Sequence, residues 1–262
     1  DNTIENILSD ISIELHAGSN LVSFYALPTD TSITNIMSTL GLNGSGVIGE
    51  GVAANNLGED LGWAGSLVHI NRSSGYWLKV INPDTLIIEE VVPSDSNMEY
   101  LLHYGANLIS FPYEGSIPVN EAIPVSSESF NSITGIIGEG VAANNLGEGI
   151  GFIGSLVQFQ GGKGYWMKSA KDNLIFRYNI SENLYKNHYL DTSIKVNKKN
   201  KDSQNVYNQS SEQAFYFVEN ILLDDESISE GDWVYVYNDN VLVGAREWTG
   251  YMTDLPAMGY DG

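Results

Sequence analysis

Short runs of alternating apolar and polar residues, broken every few positions by Gly, Asn or Pro, make up most of the chain. That pattern predicts half-buried strands rather than helices. Strands are expected over 20–27, 66–70, 75–81 and 85–92, and again near 107–112, 155–159, 164–169 and 173–179. Within 75–81 the alternation puts Tyr76, Leu78 and Val80 on one face and Trp77 with Lys79 on the other. One helix is expected early in the chain, capped by Thr31 or Ser32, with Ile33, Ile36, Met37 and Leu40 on one face. The equivalent later stretch contains Pro118 and Pro124, which should shorten or abolish its helix. Near the C-terminus, three strands are expected over 214–223, 232–238 and 241–247, with Asn238-Asp239-Asn240 as a hairpin turn.

The two sets of strands are copies. His16-Ala-Gly-Ser-Asn20-Leu-Val-Ser23-Phe24 matches His103-Tyr-Gly-Ala-Asn107-Leu-Ile-Ser110-Phe111. The block Ile-Gly-Glu-Gly-Val-Ala-Ala-Asn-Asn-Leu-Gly-Glu occurs unchanged at 48–59 and 137–148. Gly75-Tyr76-Trp77-Leu78-Lys79 matches Gly164-Tyr165-Trp166-Met167-Lys168. A spacing near 88 residues is too long for a solenoid unit and suits two tandem domains. The fold class expected is mainly β: two tandem homologous β-sandwich or barrel-like modules with at most one short helix each, plus a third small β module. The boundaries fall at 1–95, 96–187, a basic and polar linker at 188–211, and an incomplete third module at 212–262.

Charge supports that division. The 262 residues carry 33 Asp and Glu against 12 Lys and Arg, a formal net charge of −21. Bases are concentrated before residue 202, in the run Lys195-Val-Asn-Lys198-Lys199-Asn-Lys201, which reads as a solvated linker. So negative a chain is a poor partner for DNA, RNA or anionic lipid. No apolar run is long enough for a membrane-spanning helix. The absence of Cys removes disulfides, thiolate metal sites and a Cys nucleophile. Asp1 reads as the start of a processed or excised chain.

Little in the sequence points to catalysis. Gly49-x-Gly51-x-x-Ala54 and its copy match a dinucleotide fingerprint in letters, but Asn55-Asn56 and Gly58 follow where a phosphate-binding helix must run. A tight loop, with the Asn pair tolerating left-handed backbone, fits better. His16 and His103 sit at strand edges, and His69 aligns with Gln158, so no histidine chemistry beyond that edge position is shared. The candidate ligand-binding residues are Trp77, Lys79, Trp166 and Lys168, an aromatic beside a cation that could stack on a sugar ring. A competing arrangement buries the tryptophans beneath the Gly-Glu-Gly loop and pairs the lysines with Glu50 or Glu139. Asp224, Asp225, Glu226, Glu230 and Asp232 form an acidic cluster, a candidate for calcium, although their spacing is not that of an EF-hand.

The segments 18–24 and 75–79, with their copies, resemble a module of secreted and cell-surface bacterial proteins that opens with a "GWNLIS"-type strand and closes with a "GYW-K" strand. Ser19 and Ala106 stand where that module has its opening Trp. The stretch from Gln213-Ala-Phe-Tyr-Phe217 through Gly231-Asp-Trp233 to Val243-Gly-Ala-Arg246 is similar to another β module, found in large secreted proteins with type IX sorting domains. These resemblances imply an extracellular or cell-surface, non-catalytic structural or adhesive protein. Its partners would be further copies of itself, in a fibre or surface layer, or a surface glycan. The alternative they leave open is a carbohydrate-binding accessory region of a secreted hydrolase. No cofactor is expected beyond the candidate calcium.

Overall fold

In the computed structural model, which describes residues 9–125, 127–180 and 207–260, the block shared by the two repeats is a β-hairpin rather than an isolated loop. Gly44–Gly49 turns through Glu50 and Gly51, at φ 71°, into Val52–Asn56. The second repeat does the same with Ile133–Ile137 and Ala142–Asn145, where Gly140 has φ 65°. Only glycine takes that conformation without strain. The Asn pair does not: Asn56 lies in the strand and donates to the Gly41 and Gly44 carbonyls, as Asn145 does to those of Phe130 and Ile133. Its role is to tie the hairpin to the chain leading into it.

Each hairpin belongs to a five-stranded antiparallel sheet. In the first repeat the order is Gly18–Ser23, Gly75–Val80, Gly44–Gly49, Val52–Asn56, Trp63–Gly65. In the second it is Gly105–Ile109, Tyr165–Ser169, Ile133–Ile137, Ala142–Asn145, Phe152–Ile153. The register is shared to the residue: Gly46 faces Lys79 and Ile48 faces Trp77, while Gly135 faces Lys168 and Ile137 faces Trp166. Both copies also break register at the same bulge, where Ser45 and Thr134 donate to the Lys79 and Lys168 carbonyls. Smaller sheets complete each half. The first has Ser9–Leu15, Asp84–Pro93 and Ala26–Leu27; the second pairs Tyr100–Leu102 with Leu174–Phe176 and Ser116–Pro118 with Gln158–Gln160.

The alternation along Gly75–Val80 sorts its side chains as expected. Tyr76, Leu78 and Val80 enter the buried cluster of the first repeat, and Tyr165 and Met167 that of the second. Both tyrosine hydroxyls accept an equivalent backbone hydrogen bond, from Asn71 N at 2.7 Å and from Gln160 N at 2.8 Å. Residues 66–70, expected as a strand, form only an isolated bridge between His69 and Ser32.

Helix is scarce. Ser32 caps Ile33–Ile36, and a 3₁₀ segment follows at Ser38–Asn43. The second repeat departs from the expectation of at most one helix, holding two, Val119–Ala122 and Glu128–Ser132. Pro124 ends the first by keeping Ile123 out of helical backbone, at φ −126° and ψ 83°, and Ser127 caps the second through Phe130 N. Among the described residues no helix is long and apolar enough to cross a membrane.

The C-terminal segment has more strands than the three expected. Trp233–Asn238 and Val241–Glu247 form the expected hairpin, with Asp239 at φ 52° in its turn. Gln213–Val218 pairs instead with Thr253–Met258, and Leu222–Leu223 with Glu226–Ser227. Its buried apolar side chains are few: Ala245, Trp248, Leu255, Pro256 and Met258. The expected linker, up to residue 206, lies outside the described residues, as does His188. The protein is mainly β, built from several sheets with little helix.

Candidate functional site

The residues most strictly duplicated between the repeats meet one another at the junction between them. Glu139, at the tip of the second repeat's hairpin, accepts a hydrogen bond from His16 Nε2 at 2.5 Å and another from the Leu21 amide at 2.9 Å. Glu50, at the tip of the first, accepts from His103 Nε2 at 2.5 Å and from the Leu108 amide at 2.8 Å. The exchange is reciprocal: each repeat's Gly-Glu-Gly tip holds the opening strand of the other. Each histidine is set in place by its own strand, because Asn20 and Asn107 bridge the backbone amide and carbonyl of His16 and His103.

Backbone contacts extend the same symmetry. Ser23 N donates to the Gly162 carbonyl and Gly164 N to that of Leu21, forming a bridge between Val22 and Lys163. On the other side Ser110 N donates to the Ser73 carbonyl beside a bridge between Ser74 and Ile109. The hydroxyls of Ser23 and Ser110 donate to the carbonyls of Lys163 and Arg72, both at 2.6 Å. This close approach explains the glycine that opens the Gly-Tyr-Trp strand. A Cβ on Gly164 would stand 2.7 Å from the Val22 carbonyl oxygen, and one on Gly75 2.9 Å from that of Ile109.

Leu21, Leu108 and Trp77 form a small buried cluster here, with Trp166 packed against it. Trp77 is only 2% exposed, and its indole N–H is buried without an acceptor among the described residues. It therefore presents no open face to a sugar, and the stacking platform expected of Trp77 is corrected: the ring is part of the seam between the repeats. Trp166 is half-buried and lines, with Lys168, a cavity of 280 Å³ closed by Phe215 and Phe217 of the C-terminal segment. Lys79 and Lys168 do not take up Glu50 or Glu139, whose cationic partners are the histidines and, for Glu139, Lys163 at 3.6 Å.

The electrostatics of the two clamps differ. The hydrogen bond to Glu139 raises the His16 pKa above its ordinary value, against the opposing effects of burial and Lys163. Glu50, and then the Tyr104 carbonyl, raise that of His103. Burial pushes Glu139 upward, but His16, Lys163 and the Leu21 amide together hold it below the usual carboxylate value. Both oxygens of each carboxylate are engaged, so the arrangement fixes two surfaces against each other.

The acidic candidates do not converge. Asp224 and Asp225 occupy a left-handed turn between Leu222–Leu223 and Glu226–Ser227, and Asp232 accepts from Ser229 N in a local turn. Among the described residues, Asp224, Asp225, Glu226, Glu230 and Asp232 included, no three His, Asp or Glu side chains are placed to share a metal ion.

Two features escape the sequence. The first is the His–Glu exchange, whose only signal was that both residue types recur at matching places in both copies. The second is an open aromatic row on the C-terminal hairpin, where Trp233 and Tyr235 stack at 6.3 Å and 22° with Tyr237 beyond them, all three solvent-exposed.

No known family model matches this chain. Neither the curated proteins nor the solved structures compared with it include a match.

Proposed function

We propose that the chain is a non-catalytic structural or adhesive protein of the cell surface or extracellular space. Its first 180 residues would be two tandem homologous β-sandwich or barrel-like modules locked into one stiff unit. One observation carries this reading: the duplicated Glu139 and Glu50 take His16 and His103 of the opposite repeat, and Asn20 and Asn107 set those histidines in place. Duplication followed by reciprocal clamping produces a spacer with no hinge between its halves, which suits a load-bearing or display role. The extracellular placement rests on the resemblance of the 18–24 and 75–79 segments to modules of secreted proteins.

Negative-stain microscopy of the purified chain, with and without millimolar calcium, tests it. Filaments, sheets or rigid rod-like particles of uniform length support the reading; flexible two-bead particles contradict it.

A second reading, carbohydrate binding, is favoured by one feature, the exposed Trp233–Tyr235 stack. It moves the sugar platform from Trp77 and Trp166 to the C-terminal hairpin. Binding on a glycan array that disappears in Trp233→Ala supports it, and binding that survives that change, or none at all, removes it.

A further inference from the structure

The C-terminal segment is seated on the second repeat's hairpin, and the first repeat carries the same seat uncovered. On the second repeat, Asp254 accepts from the Ser155 amide and from its hydroxyl, both at 2.6 Å. Arg246 pairs with Asp254 at 3.0 Å and donates to the Gly140 carbonyl at 2.7 Å. Gln213 donates to the Gly138 carbonyl at 3.0 Å and accepts from Gly140 N at 3.3 Å. The receiving groups are thus a serine and the backbone of the Gly-Glu-Gly turn.

Those groups recur at Gly49 and Gly51, within sequence identical over 48–59 and 137–148, and at Ser66, in the Gly65-Ser66-Leu67 that matches Gly154-Ser155-Leu156. The local geometry recurs too, because Ser66 accepts from Ala53 N at 3.2 Å as Ser155 accepts from Ala142 N at 3.3 Å. What differs is cover. Gly140 is buried and a Cβ there would meet Gln209 at 2.7 Å, whereas Gly51 is exposed and a Cβ there would meet nothing within 4 Å among the described residues. Ser66 and Asn55 are exposed where Ser155 and Asn144 are half-buried, and Ile48 is more open than Ile137.

We propose that the first repeat's hairpin is a second docking face, and that its occupant is a β segment of another chain presenting the donor set of the C-terminal segment: an arginine paired with a carboxylate, and a glutamine beside them. The chain's own segment is not that occupant, because it already satisfies the same groups on the second repeat and moving it would gain no contact. With one donor and two seats, each molecule offers one seat to a neighbour. This inference rests on the duplicated seat alone and stands apart from the structural reading above.

A donor-only form of the full chain provides the probe. Ser66→Arg with Ser155→Arg blocks both seats and releases its C-terminal segment. Mixed with wild type and followed by sedimentation velocity, it is expected to give a one-to-one complex. Ser66→Arg in the wild-type partner, which leaves that partner's own segment docked, should weaken the complex at least about tenfold, roughly 1.4 kcal/mol. Arg246→Ala in the donor should do the same. Slowed amide exchange at Gly51 and Ser66 of the isotopically labelled wild-type chain locates the contact independently. If Ser155→Arg does not fold, Gly140→Arg serves to expel the segment. A mixture that stays monomeric, a complex indifferent to Ser66→Arg, or a donor-only chain that reseats its own segment would each overturn the proposal.

Discussion

Glu139 and His16 stand 2.5 Å apart across the junction, although 123 residues of chain separate them. Their counterparts Glu50 and His103 repeat the contact at the same distance but in a wetter setting: the Glu139 side chain is 11% exposed and that of Glu50 39%. The two clamps are therefore chemically alike and energetically unequal. Removing Glu139 leaves the Leu21 amide without its acceptor and Lys163 without its carboxylate. We expect Glu139→Ala to cost about 2–3 kcal/mol and Glu50→Ala about 1 kcal/mol, read from urea unfolding. Equal costs would mean that burial does not set the strength of the clamp.

The clamps should also make stability depend on pH. The folded pKa of each histidine is raised above 6.5, so its contribution is complete below about pH 6.5 and is lost as pH rises through the folded value. Glu139 is lowered from 4.5, so its contribution is complete above about pH 4.5 and is lost as pH falls through its folded value. Lys163 works against the charged form of His16, and Asp172 favours that of His103. The junction should be tightest between those limits. The stability difference between wild type and the His16→Gln/His103→Gln double variant should be larger at about pH 5.5 than at about pH 8.5. A difference of the opposite sign would show that neutral imidazole is the form the junction selects.

Trp77 carries an opposing pair of effects in one side chain. Its ring fills the seam beside Leu21 and Leu108, while its indole N–H is buried with no acceptor among the described residues. Trp77→Phe loses some packing but removes a desolvated donor whose cost is about 1–3 kcal/mol. Its stability should stay within about 1 kcal/mol of wild type, whereas Trp77→Ala should lose about 3–5 kcal/mol. Thermal unfolding of the two variants checks this. A severe loss in Trp77→Phe would indicate that the N–H has found a partner in solution.

Gly164 and Gly75 test how tightly the repeats approach. A methyl at Gly164 must displace the Val22 carbonyl, a backbone atom already held in the bridge to Lys163. At Gly75 the carbonyl it would meet, that of Ile109, is farther off at 2.9 Å, and the other close atom is the terminal carbon of Leu108, which can rotate away. Gly164→Ala is expected to destabilise by about 1–3 kcal/mol and Gly75→Ala by less. Amide exchange at Ser23 should quicken in the first variant and change little in the second.

Periodicity and self-similarity expose some of this and hide the rest. The Tyr76, Leu78 and Val80 face, the Ser32 cap and the Asp239 turn are local features, set by residues within a few positions of each other. The hairpin at 44–56 escaped because glycines and asparagines depress strand propensity while serving its turn and its ties. The Thr253–Met258 strand is hidden by Pro256, and its pairing with Gln213–Val218 spans the four strands that lie between them in the chain. The junction lay further out of reach. A repeat shows that two units are alike, but it carries no record of which surface each turns toward the other. So the sequence offers Lys79 and Lys168 as partners for Glu50 or Glu139, whereas each carboxylate takes the histidine of the opposite copy.

Arg246 and Asp254 decide whether the C-terminal segment stays seated. Asp254 is 1% exposed and receives the Ser155 amide, the Ser155 hydroxyl and the Arg246 guanidinium. Taking away Arg246 alone leaves a buried carboxylate with donors but no counter-charge, a change that costs about 3–5 kcal/mol in comparable sites. Replacing both charges at once, with Arg246→Met and Asp254→Asn, removes that penalty and keeps an acceptor for Ser155. The single Arg246→Ala variant should therefore release the segment, seen as rapid proteolysis beyond residue 207 and faster exchange at the Gly140 amide. The double variant should hold it better than the single. If the double variant is the looser of the two, the ion pair itself, rather than relief of an uncompensated charge, is what seats the segment on the hairpin.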